Sequence, residues 1–263
     1  MAKSLEFLGI PGAGKTRVLN YTLAALREHD RRAELSEEAA YRALGASRSS
    51  RLLTVCTRLF PYRVGRHLLA RFPRTADDAA YLAFQRFLQA HPLLSRIVLE
   101  CHYAKPPDRF DFLSLFWFFD LFSTYQLVSE MAETHDDFVL FDEGFSQRVV
   151  TLFAYGEHLA SSLPLEQAIV AYLEAIPCPD AIFALTAPVE SVIARMEQRG
   201  FPQRMRTMTL QERERSLRQA EICVNLAKDA LHQQGAMLFE IENSGTEADL
   251  RVQVAHAIEA WLA

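Results

Sequence analysis

The chain has 263 residues, of which 50% are hydrophobic and 23% are charged, and its formal net charge is -5. This composition is typical of a packed globular protein and excludes a disordered or fibrous chain. The negative balance excludes a general basic field that could hold a long nucleic acid, so an anionic ligand would need a local cluster of cations. The length fits one α/β domain over 1–263 with inserted segments.

The four cysteines lack the spacing of a zinc site or a disulfide framework, and the first residues show no secretory leader. The most apolar stretch, 112–122, is shorter than the roughly 20 residues of a membrane helix and contains Asp120. We interpret it as part of a buried helix. The expectation is a cytoplasmic protein that binds neither membrane nor nucleic acid.

The N-terminal region predicts a strand, a loop and a helix. Residues 5–8 form a short apolar run, and 15–29 carry apolar residues at helical spacing. A second strand is predicted over 32–35. A long helical insertion follows over 37–134, without a repeat period. Its breaks are expected at Gly45, Pro61, Pro73, Pro92 and 105–108.

Short apolar runs return at 138–141, 181–185 and 236–241, each followed by a helical stretch. Buried strands of a parallel sheet have this pattern. With the two N-terminal strands they predict a doubly wound, mostly parallel five-stranded α/β sheet. A ligand is expected outside the carboxyl ends of the strands.

Residues 9–16, Gly-Ile-Pro-Gly-Ala-Gly-Lys-Thr, match G-x-x-x-x-G-K-[ST] between a predicted strand and a predicted helix, the context of a P-loop NTPase. The N–H groups of such a loop and the helix N-terminus hold the phosphates of ATP or a close relative. Lys15 would reach the β- and γ-phosphates, and the Thr16 hydroxyl would bind Mg²⁺. The predicted nucleotide-binding residues of the loop are Gly9, Pro11, Gly12, Ala13, Gly14, Lys15 and Thr16.

The run 138–143 is an apolar strand that ends in two acids, the form of a Walker B segment. Asp142 is expected to hold the metal directly or through water. Arg148 follows at a position from which its side chain would project over the same cleft.

An arginine-rich segment follows the fourth predicted strand and predicts a lid over 195–215. Gly200 and Pro202 mark a break in it, which suits a closing flap. Arginines delivered by a flap would stabilise a transferring phosphoryl group. The alternative is a solvated face on which these arginines pair with nearby glutamates. The arginines are Arg195, Arg199, Arg204 and Arg206, and the glutamates are Glu190, Glu197, Glu212 and Glu214.

Three stretches, 9–16, 138–148 and 182–200, resemble the thymidylate-kinase-like group of P-loop nucleoside and nucleotide kinases. The third is similar to that group's fourth strand, its Pro-x-Glu helix start and its arginine-bearing lid. The chain departs from the group at 142–144, where Asp-Glu-Gly replaces the Asp-Arg of thymidylate kinases and the Glu-Arg-Ser of deoxynucleoside kinases.

The resemblance implies further roles. An acid just after the second strand would accept a proton from the acceptor, which points to Glu38 or its neighbour Glu37, although a pair of acids that stabilises a helix start is the alternative. Asn243, in the loop after the last strand, would lie near the adenine. The helical middle would supply the acceptor pocket. Its candidate residues are His102, Tyr103, Trp117, Asp120 and Tyr125.

The sequence therefore predicts an ATP- and Mg²⁺-dependent phosphotransferase, a P-loop kinase that moves the γ-phosphoryl group to a small-molecule acceptor such as a nucleoside or nucleotide. The alternative is an ATPase that couples hydrolysis to a protein partner, with Glu143 orienting water. A homodimer is left open. The predicted catalytic residues are Lys15, Glu38, Asp142, Arg148, Arg195, Arg199 and Arg204.

Overall fold

A computed structural model describes seven parts of the chain: 3–46, 61–62, 64, 73–103, 109–132, 138–155 and 163–263. Five strands form one sheet in the order β2-β3-β1-β4-β5, and every pairing is parallel. The strands are β1 (Lys3–Gly9), β2 (Ala33–Leu35), β3 (Phe138–Phe141), β4 (Ala181–Thr186) and β5 (Met237–Glu242). The predicted five-stranded parallel sheet is confirmed, and each predicted strand lies within two residues of the observed one.

Helices connect and cover these strands. Because all strands are parallel, each connection between them is a crossover, and such crossovers are right-handed in nearly all proteins. In the parts of the chain that are described, the helices are α1 (Lys15–Glu28), α2 (Ser36–Ala46), α3 (Pro73–Ala90), α4 (Pro92–Tyr103), α5 (Arg109–Ala132), α6 (Phe145–Phe153), α7 (Leu165–Ala175), α8 (Val189–Arg199), α9 (Leu210–Gln233) and α10 (Glu247–Leu262), with a 3₁₀ turn at Gln203–Met205.

The core centres on β1 and its neighbours. Leu5, Phe7 and Leu8 are fully buried, and the Phe7 ring meets that of Phe183 edge-on at 5.8 Å between centroids. Burying each such side chain contributes about 1.5–3 kcal/mol relative to leaving it in water. Both faces of these strands are covered, which is why they read as continuous apolar runs.

Two prolines of the helical middle lie at the predicted breaks, each at the start of a helix. Pro73 and Pro92 are the first residues of α3 and α4, a position that tolerates the missing N–H. The break predicted at Gly45 lies one residue before the end of α2 at Ala46. The predicted break at 105–108 lies outside the described residues.

The interpretation of 112–122 as a buried helix is only half right. α5 buries Phe118 and Phe122, whereas Trp117 keeps 46% of its surface exposed and Asp120 is exposed. The helical period explains the difference, since positions three and four apart share one face and the intervening residues turn outward. None of the helices in the described residues is long and apolar enough to cross a membrane.

Candidate functional site

Residues 9–16, here called the glycine loop, join β1 to α1. Gly12 and Gly14 have φ of 86° and 106°, a conformation that favours glycine. A Cβ at Gly12 would lie 2.7 Å from Met196 Cε and 2.8 Å from Val192 Cγ1. Both glycines are therefore required, and at Gly12 the reason includes the close packing of α8 on the loop.

Lys15 begins α1 and turns back over the loop. Its Nζ donates to the Gly9 carbonyl at 2.9 Å. Desolvation lowers the pKa of Lys15, and the charges of Asp142 and Glu143 act in the opposite direction. The ammonium therefore lies between loop carbonyls and two carboxylates.

The loop after β5 is fastened to the glycine loop. The buried Asn243 donates from Nδ2 to the Ala13 carbonyl at 2.6 Å, and its N–H donates to the Thr186 carbonyl at 2.8 Å. Arg195 Nη2 donates to the Asn243 carbonyl at 2.8 Å. The buried Arg195 Nη1 has no hydrogen-bond partner among the described residues. Asn243 therefore contacts the glycine loop itself. The sequence predicted a position near the adenine for this residue.

A cavity of about 640 Å³ opens over the glycine loop; we call it the loop cavity. It gathers residues from the loop, the end of β3, α8 and the end of β5. Gly9 and Ala13 of the predicted set lie outside its lining. The lining residues are Pro11, Gly12, Gly14, Lys15, Thr16, Arg17, Asn20, Asp142, Glu143, Arg195, Arg199, Pro202 and Asn243.

Asp142 and Glu143 follow β3 directly, beside the end of β1. Partial desolvation raises the pKa of Asp142, and repulsion from Glu143 and Glu37 adds to the effect, while Lys15 opposes it. No group of three or more His, Cys, Asp or Glu side chains within the described ranges could hold a metal ion. A cation here would depend on Asp142, Thr16 and the oxygens of a ligand or water.

A buried acid that the sequence analysis missed lies beneath this site. Glu6, in the middle of β1, is fully buried and accepts three hydrogen bonds. Its Oε1 accepts from Phe145 N–H at 3.1 Å, and its Oε2 accepts from Ser146 N–H at 2.7 Å and from Ser146 Oγ at 2.6 Å. Burial raises the pKa of Glu6, although these hydrogen bonds oppose the rise. The available signal was an acid inside an apolar strand, since a buried charge needs partners.

The next two residues of α6 point to different neighbours. Gln147 Oε1 accepts from Gly9 N–H at 2.9 Å, at the start of the glycine loop. Arg148 is 7% exposed, and its Nη1 donates to Glu143 Oε2 at 2.9 Å. Its guanidinium carbon lies 5.6 Å from the ring centroid of Trp117. Arg148 Nε is buried and has no hydrogen-bond partner in the described part of the chain.

A second cavity of about 320 Å³, the side cavity, adjoins the first. The two share Pro11, Lys15, Glu143 and Pro202. The remaining lining of the side cavity consists of Trp117, Gln147, Arg148, Val150, Thr151, Tyr155, Gln203, Arg204 and Met205.

The predicted catalytic arginines divide between the cavities. Arg195 and Arg199 line the loop cavity, while Arg148 and Arg204 line the side cavity. The Arg204 guanidinium lies 4.9 Å from the Tyr155 ring centroid. The structure therefore brings all four beside Lys15, but as two pairs with different surroundings.

The alternative of arginine–glutamate pairing on a solvated face finds little support. Glu190 and Glu214 both bind Arg218, and Glu212 forms a capping box with Thr209 at the start of α9. Three of the four candidate glutamates thus have other partners. Arg195, as described above, binds a backbone carbonyl.

Residues 200–208, between α8 and α9, form the arginine segment. Met205 is fully buried, and Arg213 donates to the carbonyls of Met205 and Arg206 at 3.0 and 3.1 Å. The Arg213 guanidinium carbon also lies 3.8 Å from the Phe201 ring centroid. These contacts hold the segment in place; Pro202 of the segment lines both cavities, and 203–205 line the side cavity.

Glu38 lines neither cavity; it is half-buried in the first turn of α2. The charge of its neighbour Glu37 contributes to the raised pKa of Asp142, so Glu37 interacts electrostatically with the site. The Glu37 carboxylate also accepts a hydrogen bond from Tyr62 Oη at 2.8 Å.

Of the helical candidates, Trp117 lines the side cavity. His102 contacts the Val98 carbonyl and Ser114 Oγ, and the Tyr125 ring packs against that of Phe141. Asp120 is exposed, and the Tyr103 side chain lies outside the description.

No protein-family model matches the chain, and no curated protein does. Solved structures do match it. One of them, the crystal structure of TT1252 from Thermus thermophilus, is 14% identical, with a TM-score of 0.41, and the match covers 100% of this chain and 98% of that one.

Proposed function

We propose that this protein is an ATP- and Mg²⁺-dependent phosphotransferase whose glycine loop is a phosphate-binding P-loop. The observation that carries the proposal is the pair of adjoining cavities that share Lys15. A group transfer between two bound molecules needs two sites that meet at one point, because the reacting atoms must approach to about 3–3.5 Å. The shared wall supplies that meeting point.

In this proposal the loop cavity takes ATP. The backbone N–H groups of the glycine loop and the N-terminus of α1 would face the phosphates. Lys15 would exchange its bond to the Gly9 carbonyl for a phosphate oxygen. Arg195 and Arg199 line the same cavity, and Arg195 Nη1, which has no partner among the described residues, gives the cavity a donor for a ligand. Asn243 would lie beside the base.

Thr16 and Asp142 would hold Mg²⁺ together with phosphate oxygens and water. Hydroxyl and carboxylate oxygens are ligands that this ion accepts. Burial raises the pKa of Asp142, and the charges of Glu143 and Glu37 add to the rise, so a bound cation would stabilise the carboxylate. When bound, the ion supplies charge neutralisation to the phosphates.

The side cavity would take the acceptor. Its volume suits a small molecule, and it offers two aromatic rings with guanidinium groups beside them, Trp117 with Arg148 and Tyr155 with Arg204. This lining fits a nucleoside, a nucleotide or another small compound with a planar or anionic part. The arginine segment would act as the lid. Glu37 and Glu38 line neither cavity, so neither is assigned as the group that takes the acceptor's proton.

The second candidate is an ATPase that serves a protein partner. Glu143 favours it, since a half-exposed acid that lines both cavities could orient water. Its carboxylate is, however, the partner of Arg148 at 2.9 Å, which directs it toward the side cavity.

The test is ADP release from Mg·ATP by the purified protein in the presence of nucleosides, nucleoside monophosphates and phosphorylatable sugars, tried one at a time. We expect a large rise with one compound and stoichiometric appearance of its phosphorylated form. Steady hydrolysis that no small molecule changes would contradict the kinase and favour the ATPase.

A further inference from the structure

We propose that Glu6 is a positioning residue that clamps the start of α6 to strand β1 and thereby fixes Arg148 relative to the glycine loop. The expected change in kcat rests on the proposed function, whereas the expected change in tryptophan quenching does not.

The clamp caps a helix that has no cap of its own. Gly144 precedes α6 and has no side chain, so the first N–H groups of this helix need partners from elsewhere. Glu6 supplies them from another element, at 3.1 Å to Phe145 N–H and 2.7 Å to Ser146 N–H. The negative charge of a carboxylate at a helix N-terminus also interacts favourably with the positive end of the helix dipole.

The same contact explains why residue 144 is a glycine. Its φ of -73° and ψ of -173° suit any residue, so the backbone does not require glycine. A Cβ at this position would instead overlap the carboxylate of Glu6. The glycine of the Asp142-Glu143-Gly144 run is thus the space in which Glu6 reaches α6.

A second bond joins α6 to the glycine loop itself. Glu6 lies three residues before Gly9 on β1, and Gln147 lies one residue after Ser146 on α6. Gln147 Oε1 accepts from Gly9 N–H at 2.9 Å. Two points of attachment resist both sliding and rotation of the helix, so a displacement of its first turn would break both.

The clamp acts directly on the side cavity. Arg148 follows Gln147, and its guanidinium lies between Glu143 and the ring of Trp117. Tyr172 Oη donates to the Phe145 carbonyl at 2.9 Å and holds the same turn from α7. These contacts hold Arg148 in the side cavity, which Lys15 also lines, and a transfer between the two cavities requires such positioning.

A purely structural role is a poor explanation for this acid. Burying a carboxylate is costly even when it is paired, and an apolar side chain with repacking often serves stability as well or better. The adjacent residues of β1, Leu5 and Phe7, are fully buried and apolar. The acid supplies directed hydrogen bonds that an apolar residue cannot.

The test compares Glu6→Gln with Ser4→Ala in the full chain. Glu6→Gln keeps the shape but replaces one acceptor oxygen by a donor. Ser4→Ala is the matched control on the same strand, because Ser4 Oγ donates to Asp180 Oδ2 at 2.8 Å, away from α6. Trp117 is the geometric reporter: the chain has two tryptophans, and Trp261 is 3% exposed, so acrylamide quenching reports mainly Trp117.

We expect Glu6→Gln to increase the acrylamide quenching of Trp117, because Arg148 leaves the ring. With the acceptor that the ADP-release test identifies, kcat should fall about tenfold to hundredfold while the KM for ATP stays at the wild-type value. Ser4→Ala should change neither quantity. Wild-type quenching and kcat in folded Glu6→Gln would overturn the proposal.

Ser146→Ala covers the case in which Glu6→Gln does not fold, since it removes one of the three hydrogen bonds and keeps the two backbone ones. It should shift quenching in the same direction by a smaller amount, and wild-type quenching would overturn the clamp. If no acceptor is found, the quenching result still decides the clamp, so the failure of the proposed function remains distinguishable.

Discussion

The two adjoining cavities are built in different ways. The loop cavity owes much of its wall to one run of chain, 11–17, where glycines turn the backbone toward the space. The side cavity is lined from more distant parts of the chain: α5, α6 with the residues after it, and 202–205 of the arginine segment, together with Pro11, Lys15 and Glu143. Lys15 belongs to both.

The two cavities therefore depend on the rest of the molecule in different ways. A wall made of backbone has a chemistry set by its conformation, and a few glycines suffice to fix it. A wall made of side chains depends on how distant elements are held together. The side cavity should therefore respond to changes in packing that leave the loop cavity intact.

The largest expected effect comes from removing the residue that the cavities share. Lys15→Ala should lower kcat/KM by at least about a hundredfold to a thousandfold, because it removes the cation facing the transferring group. Steady-state ADP release measures the loss, and circular dichroism should show a retained fold.

Lys228→Ala is the control for this change, since Lys228 pairs with Glu240 and lines neither cavity. It should keep wild-type turnover. Activity retained in Lys15→Ala would remove the phosphate-loop mechanism and, with it, the comparison between the two cavities.

A smaller effect should separate the cavities. Arg148→Met keeps an aliphatic chain against Trp117 and removes the charge, so it should raise the KM for the acceptor about tenfold to hundredfold and leave ATP affinity unchanged. Arg199→Met should weaken ATP binding and leave the KM for the acceptor unchanged, because Arg199 lines the loop cavity. Binding of a fluorescent ATP analogue and acceptor titrations measure the two quantities.

This crossed pattern is the sharpest check on the assignment of the cavities. If both variants lost ATP affinity equally, the side cavity would belong to the nucleotide site and the acceptor would have to bind elsewhere.

The smallest effect concerns pH. Desolvation and Glu143 raise the pKa of Asp142 above its ordinary value of 3.8. In the proposed function Mg²⁺ binds the ionised carboxylate of Asp142. The Mg²⁺-dependent rate is therefore expected above this pKa and should be lost as the pH falls through it. Glu143→Gln removes the repulsion and should move the acid limb of the Mg²⁺-dependent rate to lower pH. A limb that stayed in place would show that another group sets it.

Much of the sheet was predictable because buried parallel strands are local apolar runs. The run 138–143 shows both the reach and the limit of that signal. The pattern predicted a strand that ends in two acids. Nothing in the pattern showed that the next residue, Gly144, must be small to leave room for Glu6. That requirement arises from a residue more than 130 positions away.

Helical segments were less predictable in their exposure. The run 112–122 is apolar enough to suggest complete burial, but α5 turns Trp117 outward, where it meets Arg148. Which face of an apolar helix is covered depends on the neighbours it packs against, and composition does not specify them.

By itself the sequence determined the glycine loop, the strand that enters it and the acids beside it. These features follow from backbone conformation and local apolar pattern, which adjacent residues encode. The tertiary structure alone decided the side cavity, the division of the arginines between two sites and the clamp formed by Glu6. Each of these depends on side chains brought together from separate elements, and the packing of the whole chain sets their distances.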